Sequence, residues 1–136
     1  MAEIIKSALP RTTADAARYW EGLKLGELRY QVCSNCNEIV FHPRYVCPYC
    51  LSSDLRWEKS GGRGTVYSFS TLYRPPNASL MNKVPYTLAL IELKEGFFMF
   101  SEVVDCDPAL IKINMPVDIV FHEMNEEITL PKFKPI

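Results

Sequence analysis

Cys33-Ser34-Asn35-Cys36 and Cys47-Pro48-Tyr49-Cys50, separated by ten residues, decide how this chain folds. Two residues inside each pair let a tight knuckle aim both sulfurs at one point. Two knuckles brought together supply four thiolates at the corners of a tetrahedron, which is what a structural zinc ion prefers. Pro48 stiffens the second turn. Asn37, directly after Cys36, tolerates positive φ; Leu51, at the equivalent place in the second knuckle, suits such a turn less well. Disulfides are the plain competitor, but nothing marks a secreted chain, and a redox dithiol needs only one pair. Cys33, Cys36, Cys47 and Cys50 are therefore expected to bind a metal. Iron also accepts four thiolates and would make this an electron-transfer protein. Zinc is the expectation for a ribbon, and four thiolates leave it no open position for catalysis.

Short strands should carry the knuckles. Leu28, Tyr30 and Val32 alternate into the first, Ile39-Val40-Phe41 leave it, and Leu55 with Trp57 follow the second. His42 lies between the knuckles and is not needed as a ligand. Upstream, Thr12 or Thr13 is placed to cap a helix with Asp15 in its first turn. Ala16, Tyr19, Trp20 and Leu23 then recur at helical spacing, and Gly26 is a plausible stop. A helix this short must dock, either on its own domain or, through Tyr and Trp, on a partner protein.

Gly61, Gly62 and Gly64 mark a hinge or turn. Beyond it the pattern is all β, with five expected strands near 65–73, 86–93, 97–104, 116–124 and 127–133. Five strands with short turns fit a closed OB-type barrel better than a sandwich. The expected organisation is mainly β: an N-terminal helical segment (1–27), a rubredoxin-like zinc ribbon (28–60) and a five-stranded OB-fold barrel (61–136). Phe97-Phe98-Met99-Phe100 is apolar on both alternating faces, so the outer face should be covered by the helix, the ribbon or another subunit.

The connection from Arg74 to Pro85 is far longer than the usual 4–6 residues, which suits function. It occupies an OB-fold ligand-loop position. Arg74 and Lys83 offer charge for phosphates, while Leu80, Met81 and Val84 offer apolar surface. Such a mixture suits a ligand with a phosphate end and an oily arm. Tyr73 and Tyr86 flank this loop; Arg44 and Arg63 are further phosphate candidates from the ribbon side.

Composition narrows the class. In 136 residues, 48% are hydrophobic and 23% charged, as in an ordinary globular protein. The formal net charge is −1. Residues 1–63 hold nine Lys/Arg against seven Asp/Glu, and residues 64–136 hold six against nine. A single-stranded nucleic-acid-binding protein, with Tyr67, Phe69 and Tyr73 stacking on bases, is the alternative. The acidic second part and the acidic Asn125-Glu126-Glu127 loop oppose it. No apolar run reaches membrane-spanning length, and Met1-Ala2-Glu3-Ile4 does not look like a signal peptide. With Cys106 left single, a reducing, cytoplasmic setting is expected.

Tyr19-Trp20-Glu21, the paired knuckles, the run from Gly62 to Ser68, Tyr73-Arg74-Pro75-Pro76 and Met115-Pro116-Val117 fall in a recognisable order. From about Tyr19 to Pro135 the chain resembles the acyl-CoA-associated OB-fold family, catalogued as domain-of-unknown-function family 35. The resemblance implies a helical N-terminal segment, a rubredoxin-like zinc ribbon and a C-terminal OB-fold. It also implies a thiolase-fold enzyme as partner and an acyl-CoA, with its pantetheine arm, as ligand. Leu51 departs from the glycine usual in the family. Cys106 lies between Asp105 and Asp107, which disfavour a thiolate. His122, Glu102, Asp105 and Glu123 form no catalytic set visible in the sequence. The expectation is thus a non-catalytic accessory subunit that is not itself an enzyme.

Overall fold

The computed structural model describes residues 13–74 and 84–136. Thr13 holds the extended backbone of an N-cap before a 3-10 turn (Ala14–Ala16), which runs into helix α1 (Ala17–Lys24). Its hydroxyl donates to the Asp15 carboxylate rather than accepting from the helix backbone. Thr12, the other expected cap, lies outside the described residues. Gly26, at φ 76°, ends the helix: Glu27 N donates to the Gly22 carbonyl at 2.8 Å, closing a Schellman turn. The face expected from periodicity is the buried one. Ala16, Tyr19 and Leu23 are buried, while Trp20 is half-buried. The helix packs on β1, β7 and β8 of its own chain.

Strand β1 (Leu28–Cys33) is the centre of a three-stranded antiparallel sheet, between β2 (Ile39–Val40) and β3 (Leu55–Ser60). Its small core consists of Cys33, Val40 and Cys47, with Leu55 packed against it. The second part is a closed barrel of β4 (Arg63–Leu72), β5 (Tyr86–Leu93), β6 (Phe98–Val103), β7 (Pro116–Glu123) and β8 (Thr129–Pro135). Its order is β4-β5-β6-β8-β7, and β4 pairs with β7 to close it. All pairings are antiparallel except β6 with β8. The five expected strands are all present, with ends that differ by a residue or two.

Inward-facing Val66, Ala89, Ile91, Met99, Val117 and Phe133 fill the barrel, and Tyr19, Leu23 and Leu28 belong to the same cluster. The ring of Phe97 meets those of Tyr30 and Phe41, each at 4.9 Å between centroids. Helix, ribbon and barrel therefore share one apolar core. The glycine turn between β3 and β4 is tied down. Ser60 Oγ donates to Glu95 Oε1 at 2.7 Å, and Gly61 N donates to Glu95 Oε2 at 2.8 Å. Gly62 has φ 78°, and a Cβ there would stand 2.3 Å from Ile119 Cγ2, so only glycine fits.

Candidate metal centre and ligand face

The two knuckles share one backbone pattern. Cys33 N donates to the Glu38 carbonyl and Asn37 N to the Cys33 carbonyl, at 2.9 and 2.8 Å. Cys47 N donates to the Ser52 carbonyl and Leu51 N to the Cys47 carbonyl, at 2.8 and 2.9 Å. Asn37 and Leu51 both take positive φ, 64° and 66°. Asn tolerates this through its short polar side chain, whereas Leu meets the full steric cost.

The four sulfurs lie within 4.8 Å of one another. Cys33 Sγ is 3.5 Å from Cys50 Sγ, and Cys36 Sγ is 3.7 Å from Cys47 Sγ. A tetrahedron with Zn–S bonds of about 2.3 Å has edges of about 3.8 Å, so the set fits zinc. The separations are far beyond a disulfide bond of about 2.05 Å. Asn35 Nδ2 donates to Cys50 Sγ at 3.4 Å, first among the contacts that pull the Cys50 thiol down to about 6. Tyr49 N donates to Cys47 Sγ at 3.4 Å. The Asn35 bond favours the Cys50 thiolate, the form a metal binds. His42 stands outside the cluster. It packs against Tyr19, with centroids 5.2 Å apart, and burial lowers its pKa.

The expected ligand residues do not form a single cluster. Tyr73 and Arg74 are exposed just beyond β4, and Tyr86 is buried where β5 begins, opposite Leu72. These three gather at one end of the barrel. Arg63 starts β4, so roughly 30 Å of strand separates it from Arg74. Arg44 is in the ribbon, where its backbone is clamped by buried Gln31: Arg44 N donates to Gln31 Oε1 at 2.8 Å, and Gln31 Nε2 donates to the Arg44 carbonyl at 3.0 Å. Lys83, Leu80 and Met81 lie outside the described residues.

Cys106 is half-buried, and its thiol donates to the Asp107 carbonyl at 3.4 Å. Glu102 pairs with Lys132 at 3.3 Å. The sequence pattern did not single out a groove of 810 Å³ bounded by Trp20, Phe41, Leu88, Phe98 and Phe100. Its only signal in the sequence was the alternation in Phe97-Phe98-Met99-Phe100. Among the described residues, no helix is long and apolar enough to cross a membrane.

Two family models match the chain in succession. Residues 20–56 match the family model described as the ChsH2 rubredoxin-like zinc ribbon domain, and residues 57–122 the model of the ChsH2 C-terminal OB-fold domain. The chain is 35% identical over 126 residues to a probable enoyl-CoA hydratase alpha subunit of Thermomonospora curvata. That match covers 93% of this chain but 39% of the relative, so the chain spans about two fifths of the relative's length. A DUF35 domain-containing scaffold protein of Methanocaldococcus jannaschii is 36% identical over 111 residues, 76% of this chain and 78% of that protein. A solved chain of the "Ltp2-ChsH2(DUF35) aldolase" superposes with a TM-score of 0.83 at 35% identity, covering 93% of this chain and 98% of that one.

These names overturn the expectation that such a chain is not an enzyme. Relatives matched along nearly all of it are named as a hydratase subunit and as an aldolase. The expectation rested on finding no complete catalytic set in one sequence. An enzyme of several subunits does not need to keep its set within one chain. With the ribbon model and the OB-fold model matched in succession, and relatives covered over most of their length, the chain belongs to the DUF35 family of zinc-ribbon and OB-fold proteins.

Proposed function

We propose that this chain is a subunit of an enzyme complex acting on CoA thioesters, in which a thiolase-fold subunit is its partner. The observation that carries this reading is the superposition on a chain of an aldolase complex over 98% of that chain's length. The hydratase name of a second relative supports a CoA-linked substrate. Zinc fixes the ribbon, and the barrel end at Tyr73, Arg74 and Tyr86 takes the CoA moiety. Arg74, exposed at that end, meets phosphate, and the tyrosines line the path of the pantetheine arm. Lys83 and Arg44 are secondary phosphate contacts, and Arg63, at the far end of β4, is the weakest of the set.

Calorimetry with acetyl-CoA at low and high salt tests the ligand, because exposed phosphate contacts are screened by ions. Binding should weaken as ionic strength rises, and Arg74→Ala should reduce affinity about two- to fivefold at low salt, as loss of one exposed charged contact implies. Acetyl-CoA that fails to bind, beside tight and salt-sensitive binding of a single-stranded DNA oligonucleotide, would replace this function with nucleic-acid binding.

A further inference from the structure

The outer face of the barrel carries apolar side chains that no described residue covers. Phe97 and Met99 point inward and are 5% and 4% exposed, whereas Phe98 and Phe100 point outward and are 41% and 78% exposed. Phe100 stands opposite Leu90, and Phe98 opposite Glu92, so Leu88 and Leu90 of β5 extend the same face. The pairing of β4 with β5 shifts register between Val66 and Ser68. Tyr67, at that irregularity, meets Phe98 edge-on with centroids 5.0 Å apart. The face runs into the 810 Å³ groove, whose opposite wall is Trp20 of the helix and Phe41 of the ribbon. All three parts of the chain border one apolar depression.

Contiguous exposed apolar surface of this kind marks an interaction site. Three features choose the occupant. First, β8 pairs with β6 only at Val103, so the groove side of Phe98 to Ser101 offers main chain with no ladder partner among the described residues beside its apolar side chains, a combination that suits a protein partner. Second, the groove is open along the face and leaves Phe100 mostly in solvent, unlike a pocket that encloses most of a small ligand. Third, of the two acids on the stripe formed by Leu88, Leu90, Glu92, Phe98, Phe100 and Glu102, one is neutralised by Lys132, which lines the same groove. Glu92 is exposed and has no ion pair among the described residues, while Glu102 is paired with Lys132. A second copy would bring to Glu92 a stripe whose own charges are this acid and the Glu102–Lys132 pair, whereas a different partner can supply a free base.

We infer that this face docks the partner enzyme subunit through an apolar patch flanked by a Lys or Arg that meets Glu92. The inference rests on the proposed place of the chain in an enzyme complex. Phe98 and Phe100 form the dry centre of the contact, in keeping with the aromatic anchors of such interfaces, and Glu92 lies at its rim.

The test uses the enzyme subunit that co-purifies with the chain from its native host, produced separately and titrated into the full chain. The doubly substituted Phe98→Ser, Phe100→Ser chain should bind that subunit at least 100-fold more weakly. Glu92→Arg should lose about tenfold, while Phe100→Leu should stay within a few-fold of wild type. Leu110→Ser, which removes another exposed apolar side chain, should leave affinity unchanged. Zinc content and melting temperature check that each variant folds. Undiminished binding by the double variant would overturn the docking face and leave the enzyme-complex function standing; an acetyl-CoA-binding chain with no enzyme subunit to bind would overturn both the docking face and the complex. A wild-type dimer that the double substitution dissolves, seen by sedimentation, would assign the face to a second copy instead. An apolar dye that binds wild type no better than the double variant would show the face covered by residues 1–12 or 75–83, and would also overturn the inference.

Discussion

The ribbon and the barrel reach a fixed structure by different means. The barrel buries a continuous set of apolar side chains, from Val66 to Phe133, and closes through β4 with β7 and, at Val103, through β6 with β8. The ribbon has a core of its own made of Cys33, Val40 and Cys47, two of the four cysteines suited to hold zinc. Remove the metal and little remains inside the knuckles to hold them. A small unit of this kind derives its folding free energy from metal binding, on the order of 10 kcal/mol for a structural zinc. The same chain thus contains a part whose small core is built from candidate metal ligands and a part stabilised by burial, joined through Leu28, Tyr30 and Phe41.

The comparison breaks most sharply at the metal. Cys33→Ser or Cys47→Ser should abolish stoichiometric zinc, and limited proteolysis should then cut between residues 34 and 54 while the barrel stays resistant. Metal analysis that finds neither zinc nor iron in the wild-type protein would refute the site itself. The barrel's counterpart is Phe133→Ala. Phe133 is fully buried, and its loss should cost about 3–5 kcal/mol in denaturant unfolding. Zinc content of the folded fraction should be unchanged; a parallel loss of zinc would mean that the two parts fold as one unit. Leu51→Gly sharpens the comparison with the smallest effect. It relieves a left-handed Leu at φ 66° and should stabilise the ribbon by about 0.5–1 kcal/mol, read as slower zinc loss to a chelator.

The legible parts of the fold were those governed by local spacing. Two cysteine pairs specify their own turns, so the sequence announced a metal site without any tertiary information. Strand β5 is an apolar run between Pro85 and the Glu95-Gly96 turn, and its expected range, 86–93, has the bounds it takes in the structure. The helix face was equally clear, but what it packs against was not. Periodicity reports that Tyr19 and Leu23 are buried, not that β1, β7 and β8 bury them. How the candidate ligand residues sit relative to one another is the least legible part, because it depends on which strand ends share one rim of a barrel. Arg63 and Arg74 are eleven positions apart in sequence, yet an extended strand carries them to opposite ends. A chain of the same spacing in a helix would have left them much nearer. The proposed place in an enzyme complex draws on the relatives' names and not on side-chain spacing.

Glu95 sits in the turn between β5 and β6, and its two carboxylate oxygens hold Ser60 and Gly61 at the junction of ribbon and barrel. The glycines there look like a joint, but the carboxylate and the rings of Tyr30, Phe41 and Phe97 lock it. The protein therefore behaves mechanically as a bracket rather than a pair of beads on a string. A neighbour that pushes on the zinc end turns the barrel by the same angle, and the distance between the two contact points stays constant.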